Sequence, residues 1–228
     1  MNQKTYAYPG LTQLSARPIL LLLLACTLCA CASQPQTERL IGPSEQWIKQ
    51  SEQLRHQRHW RLQGRIGIRL PDQAHSASIR WQQSDQQVDI LLTGPLGQGS
   101  VRIKGDDQWI EIFEGRNGAS NSGEPNQLLR QQLGYTLPLG QLSQWCLGLI
   151  ENHSAKKPFT TNLLYDASGF PLSFRTEHWA VAYQRWKPIQ GSLPSQNYTL
   201  PHKIVIQSND VKITLAIKHW EIPVKSST

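Results

Sequence analysis

Trp60-Arg61-Leu62-Gln63-Gly64-Arg65-Ile66-Gly67-Ile68-Arg69-Leu70 alternates apolar residues with cationic and polar ones along its whole length. Side chains of a β-strand point to opposite faces in turn, so this period of two predicts a long strand with one apolar and one cationic face. Pro71-Asp72 supplies the turn that ends it. The same period returns in Ala77, Ile79 and Trp81, in Val88, Ile90 and Leu92, and in Val101 and Ile103. Asp106-Asp107 marks another turn, and Gln108–Phe113 reads as a fifth strand. Parallel neighbours need a crossover of about a dozen residues, and none is available, so consecutive strands are expected to pair as antiparallel hairpins.

Around this run the period changes. Ser44 is placed to cap a helix reaching about His56, with Trp47, Ser51 and Leu54 near one face. Gly115–Pro125 reads as a Gly/Asn/Ser loop. Leu128, Leu129 and Leu133 then recur at helical spacing, and Leu142, Trp145 and Leu149 define another short helix. Strands resume at Thr160–Tyr165, Leu172–Arg175 and Trp179–Trp186, and close with His202–Gln207 and Val211–Lys218 around Ser208-Asn209-Asp210. The count is ten or eleven strands and three helices in one α+β domain. A meander this long curls toward a barrel, whose interior is either a filled core or a ligand cavity. The pattern leaves both outcomes open.

Composition narrows the class. The 228 residues are 39% apolar and 17% charged, with eight Trp, which is not the signature of a disordered chain. Only Ile19–Ala30 is strongly apolar, so a multi-span membrane topology is excluded. Residues 1–30 hold two cations, Lys4 and Arg17, and no acid, and the apolar run that follows them contains Leu20–Leu24 unbroken. That run is shorter than the roughly 20 residues needed to span a bilayer, and the arrangement reads as a secretory signal. Its end, Leu28-Cys29-Ala30-Cys31, resembles the bacterial lipobox. The resemblance implies cleavage before Cys31 and acylation of that Cys. The organisation is then a signal peptide at 1–30, a lipidated N-terminus and tether at 31–43, and one domain at 44–228. Leu23-Leu24-Ala25-Cys26 also fits the pattern behind a shorter apolar stretch, so Cys26 stands as the alternative. Ala32 and Ser33 follow Cys31, without the Asp that resembles an inner-membrane retention mark, which points to the outer membrane. One acyl chain binds a membrane only reversibly, whereas several together anchor it. Removing Lys4 and Arg17 with the signal lowers the net charge from +7 to +5 and leaves Cys146 as the one thiol beside Cys31. Cys146, between Trp145 and Leu147, reads as an inert core residue.

The ordered set of pieces resembles a known family. The lipobox and a Trp-containing helix precede the strand with Gly64-Arg65-Ile66-Gly67-Ile68. Ile79-Arg80-Trp81-Gln82-Gln83, Leu91-Leu92-Thr93-Gly94-Pro95-Leu96-Gly97 and Gln144-Trp145 follow, with Leu200-Pro201 and Trp220 near the end. Together they resemble the LolB family of the bacterial lipoprotein-localisation pathway, over nearly the whole mature chain. The resemblance implies about eleven antiparallel strands in an unclosed barrel, with a hydrophobic cavity and a lid of short helices. It implies a periplasm-facing, lipid-anchored protein of the outer membrane that accepts lipoproteins from the soluble carrier LolA and inserts them into that membrane. No cofactor, metal, nucleic acid or catalytic residue is implied, and the protein is expected to be a monomer and not an enzyme. The exposed apolar residue of the family's membrane-inserting turn falls on Leu96, flanked by Pro95, Gly94 and Gly97; Gly94 stands where an Asn is familiar.

On that reading the acyl-chain cavity is lined by Ile66, Ile68, Ile79, Trp81, Ile90, Leu92, Val101 and Ile103. Leu128, Leu129, Leu142 and Trp145 form the lid. Each residue also suits a plain core. Arg61, Arg65 and Arg69 would then face outward. No G-x-S-x-G, H-E-x-x-H, P-loop or complete G-x-G-x-x-G is present. His56 and His59 lack a third ligand nearby and read as solvated. Arg55, Arg58, Arg61 and Arg65 form a basic cluster suited to anionic lipid or to an acidic rim on the carrier. The competing reading is a structural or scaffold lipoprotein of the envelope without a lipid cavity.

Overall fold

The alternating stretch at Trp60 forms β1, His59–Arg69, and its two faces separate as the period requires: Trp60 and Leu62 are buried, while Arg61, Arg65 and Arg69 are exposed. The computed structural model describes residues 42–115, 118–150, 161–190 and 197–223. The described residues belong to one compact unit, Glu38–Thr228. Cys26, Cys31 and residues 32–41 lie outside the described residues.

Ten further strands follow: β2 (Ala74–Ser84), β3 (Gln87–Thr93), β4 (Ser100–Gly105), β5 (Ile110–Glu114), β6 (Ala119–Gly123), β7 (Thr161–Tyr165), β8 (Pro171–Arg175), β9 (Ala180–Gln190), β10 (Asn197–Gln207) and β11 (Lys212–Glu221). All pair antiparallel in one sheet of order β6-β5-β4-β3-β2-β1-β11-β10-β9-β8-β7. The first and last strands therefore meet at its centre, and among the described residues β6 and β7 are left as edges, so the barrel is unclosed. Three α-helices are present among the described residues, α1 (Glu45–Arg55), α2 (Pro125–Leu133) and α3 (Leu139–Cys146), with one 3-10 turn at Pro95–Gly97.

Register carries the inward parity from strand to strand. Leu62 lies opposite Trp81 and Trp220, Trp81 opposite Ile90, Ile90 opposite Ile103, and Ile103 opposite Ile112. Opposed residues share a face, so one apolar choice at Leu62 propagates across five neighbours. Trp60 contacts Trp81 and Trp220 with ring centroids 5.3 and 5.6 Å apart, which fills one end of the interior. A second aromatic chain, Trp47–Trp186–Tyr183–Phe174–Trp145, ties α1 and α3 to β8 and β9.

The helices start where side chains meet orphan backbone donors. Ser44 Oγ accepts from the Trp47 N–H at 3.2 Å, and the Glu124 carboxylate accepts from the N–H groups of Asn126 and Gln127. Those two donors hold the Glu124 carboxyl below its usual range. Gly134, in the left-handed conformation, ends α2.

Several expected bounds need correction: β9 runs to Gln190, beyond Trp186, and β11 to Glu221, beyond Lys218. Gly115–Pro125 is not only loop: Ala119–Gly123 is β6, paired along β5. Backbone bonds to a neighbour made it a strand, and its Ala, Asn and Ser side chains carried no apolar alternation to announce it. The third helix begins at Leu139 and ends at Cys146, earlier than Leu142–Leu149. β10 extends back to Asn197 through Pro201, which is tolerated because β11 does not pair there; its carbonyl instead accepts from Trp220 Nε1 at 3.1 Å.

β1 and β11 slip register between Gln63 and Gly64, and a Cβ on Gly64 would overlap the carbonyl oxygen of Ala216. Gly67 has open space around the same position. Gly64→Ala is expected to lower the urea-unfolding stability by about 1–3 kcal/mol, with Gly67→Ala neutral or stabilising by up to about 1 kcal/mol.

Candidate functional site

The filled end and the opposite end of the sheet differ. Where β1 runs toward its turn with β2, Ile66, Ile68, Leu70, Leu92 and Val101 are only half-buried. With Tyr135 they line a largely apolar groove of about 560 Å³, within the range of small-ligand sites. Gln132 of α2 and Glu114 of β5 stand on its rim. Tyr135 follows the end of α2, and burial pushes its phenol pKa up to about 12.

The eight residues expected to form a cavity thus divide into two sets. Ile66, Ile68, Leu92 and Val101 line the groove. Ile79, Trp81, Ile90 and Ile103 are buried in close packing one layer further in. All four expected lid residues, Leu128, Leu129, Leu142 and Trp145, are buried as well. α2 lies nearest β6 and reaches the groove through Gln132, whereas Trp145 of α3 packs edge-on to Phe174 at the other side of the interior. Leu70 and Tyr135 belong to the groove and were missed. Leu70 was legible as the last residue of the β1 alternation; Tyr135 had no periodic signal, since it follows a helix end.

Beside the groove, β3 and β4 are joined by a closed turn. Gly94 N–H donates to Gly99 O at 3.1 Å, Gly97 N–H to Gly94 O at 3.2 Å, and Gln98 N–H to Pro95 O at 3.1 Å. Leu96 stands at its tip, 97% exposed, with φ 57°. That left-handed conformation costs a residue with a Cβ about 1–2 kcal/mol. A Cβ at position 94 would overlap the Gln98 carbonyl oxygen, so glycine there permits this turn, and an Asn would require a different one.

The basic residues near the first junction do not form one patch. Arg61 Nη1 pairs with Glu221 Oε1 at 3.0 Å. Arg55 and Arg58 line a polar cleft of about 440 Å³ at the filled end of the sheet, shared with Asp85, Asp106 and Asp107. Arg65 lies instead in a convex-face cleft with Arg80, Arg185, Lys187, Lys218 and His202. His202 Nδ1–H donates to Ile217 O at 3.0 Å. Burial holds the imidazole pKa below its ordinary value, with Lys187 and Arg185 acting in the same direction and the Ile217 bond opposing them. His59 faces Ser84 and Asp85, and His56 closes the C-terminus of α1. Cys146 is fully buried, which raises its thiol pKa.

The family model described as "Outer membrane lipoprotein LolB" matches residues 58–220. The chain is 32% identical over 207 residues to the outer-membrane lipoprotein LolB of Ectopseudomonas mendocina, covering 90% of this chain and 96% of that protein. It is 31% identical over 195 residues to that of Pseudomonas fluorescens, covering 85% and 90%. Identity to the Chromohalobacter salexigens protein of the same name is 28% over 222 residues, covering 97% and 98%. Among solved structures, a LolA superfamily protein of Nitrosomonas europaea superposes with a TM-score of 0.48 and 14% identity, over 81% of this chain and 95% of that one.

Two outcomes are expected. Leu96→Gly leaves unfolding stability unchanged or raises it by up to about 1 kcal/mol, because relief of the left-handed strain exceeds the added chain entropy. For His202 the folded pKa is below the unfolded value of about 6.5, so its contribution to stability is lost as pH falls from there through the folded pKa. In urea titrations from neutral to mildly acidic pH, His202→Gln is expected to flatten that decline.

Proposed function

The chain belongs to the LolB family of outer-membrane lipoproteins, and on that premise we propose how it handles its cargo. It accepts lipoproteins from the periplasmic carrier LolA, holds their acyl chains in the groove under α2, and releases them to lipid past the Leu96 turn. Acylation of Cys31 tethers it. The single observation that carries this reading is the adjacency of an apolar groove and a wholly exposed Leu on the same connection: Leu92, Gly94 and Val101 line the groove, and Leu96 projects from the turn between them.

No bond needs to be made or broken. Chains leave one apolar site for another, and the free energy of apolar contact sets the direction, at about 0.8 kcal/mol for each methylene removed from water. A difference of about 1.4 kcal/mol between donor and acceptor sites shifts the partition tenfold. Because Ile79, Trp81, Ile90 and Ile103 are close-packed, the groove is the entrance, and deeper insertion requires α2 to move away from β6. Burying the Leu96 side chain contributes about 1.5–3 kcal/mol, too little to anchor the protein and enough to bias an already tethered one toward lipid contact.

Transfer from cargo-loaded carrier to the lipidated protein in liposomes separates the steps. Ile68→Glu is expected to reduce acceptance at least roughly tenfold, since a carboxylate in the groove costs more than about 1.4 kcal/mol. Leu96→Glu retains acceptance and fails in release, and its normal delivery would refute the assigned role. Mass spectrometry of the mature N-terminus distinguishes Cys31 from Cys26.

A further inference from the structure

The convex face carries a second feature that acyl-chain handling does not use. Arg65, Arg80, Arg185, Lys187 and Lys218 line one cleft of about 1080 Å³ across the back of the sheet, and no acidic residue lines it. Among the described residues none of these five is in an ion pair, in contrast to Arg61 and Arg102, which meet Glu221 and Asp89. Five unpaired cations repel one another, and nothing in the packing of the fold asks for them together.

Two backbone irregularities bring them there. The register slip between β1 and β11 leaves Lys218 and His219 both exposed in succession, where regular alternation would turn one of them inward. On the other side of β10, Arg185 has φ 58° and lies opposite His202, where the ladder is interrupted between the pairs Gln184–Lys203 and Trp186–Pro201. A left-handed conformation is uncommon for any residue but glycine, asparagine, aspartate and histidine, and an arginine held there is exposed. The cleft then continues forward. Arg65, Ser78 and Arg80 also line a smaller cleft whose other wall is the turn Gly94–Gly97.

From this continuity we infer that the convex cleft binds the phosphates of anionic lipid headgroups, with Leu96 entering the same leaflet beside them. Lipid is the occupant because the cations run into a fully exposed apolar tip. That combination suits an interface with charge at its surface and hydrocarbon just below. The protein is held at the outer membrane, so such a surface is always within reach. The contact fixes which way the domain faces on the bilayer. The inference rests on the outer-membrane location and not on the acyl-chain reading.

The test uses the mature lipidated protein reconstituted without cargo, in vesicles of phosphatidylcholine alone and of phosphatidylcholine with phosphatidylglycerol. Trace labelling with a water-soluble amine reagent is read by mass spectrometry at Lys187 and Lys218, with exposed Lys49 on α1 as the internal reference. In the anionic vesicles the two lysines are expected to react roughly fivefold more slowly, in line with the attraction of a basic side chain to an anionic surface. High salt and the double variant Arg65→Gln/Arg80→Gln are each expected to reduce that protection, with Lys49 unchanged and the circular dichroism of the variant native. Equal reactivity in both vesicles overturns the inference. So does protection of the two lysines by soluble carrier in the absence of anionic lipid, which would assign the cleft to a protein partner. Neither result bears on whether cargo is accepted.

Discussion

Eleven strands curled around an apolar concave face create more surface to hide than the three short α-helices among the described residues can cover. A strand of eleven residues spans roughly 36 Å, whereas α1, α2 and α3, with 11, 9 and 8 residues, are about 12–17 Å long. At one end the shortfall is made up by bulk, with Trp60 wedged against Trp81 and Trp220. At the other it is left standing as the groove at Ile66, Ile68, Leu92 and Val101. The groove is thus the remainder of an incomplete closure, since β6 and β7 do not pair with each other among the described residues.

Backbone strain is placed unevenly in the same frame. Four residues other than glycine have positive φ among the described residues: Asp85, Leu96, Asn162 and Arg185. Asp and Asn visit that region readily, and turns use them for it. Leu96 and Arg185 do not, and both are exposed, so neither conformation is compensated by burial of its side chain. One projects from the turn beside the groove, and the other lies in the cationic cleft behind it.

β1 serves both faces. Its even-numbered Ile66 and Ile68 contribute to the apolar groove, while Arg65 between Gly64 and Ile66 belongs to the convex cleft. Gly64 makes this possible, because the slip against β11 brings the two backbones closer than a side chain would allow. The apolar groove and the cationic cleft therefore share one strand without mixing, separated by the thickness of the sheet.

Period and spacing alone determined the strand character of β1 to β5, the outward direction of Arg61, Arg65 and Arg69, and the existence of three helices, because alternation is a property of neighbouring residues. The protruding turn was legible from the glycines and proline around Leu96, whereas the exposure of Leu96 itself was expected only from the family resemblance. Tertiary structure decided what depends on partners distant in sequence. It made Ala119–Gly123 a strand by lending it the edge of β5, separated Ile66 and Val101 in an open groove from Ile79 and Ile103 in a packed core, and split one run of arginines among three surroundings. Local pattern says which face a side chain takes. How far that face is covered is set by the curl of the sheet and by the lengths of the helices laid against it.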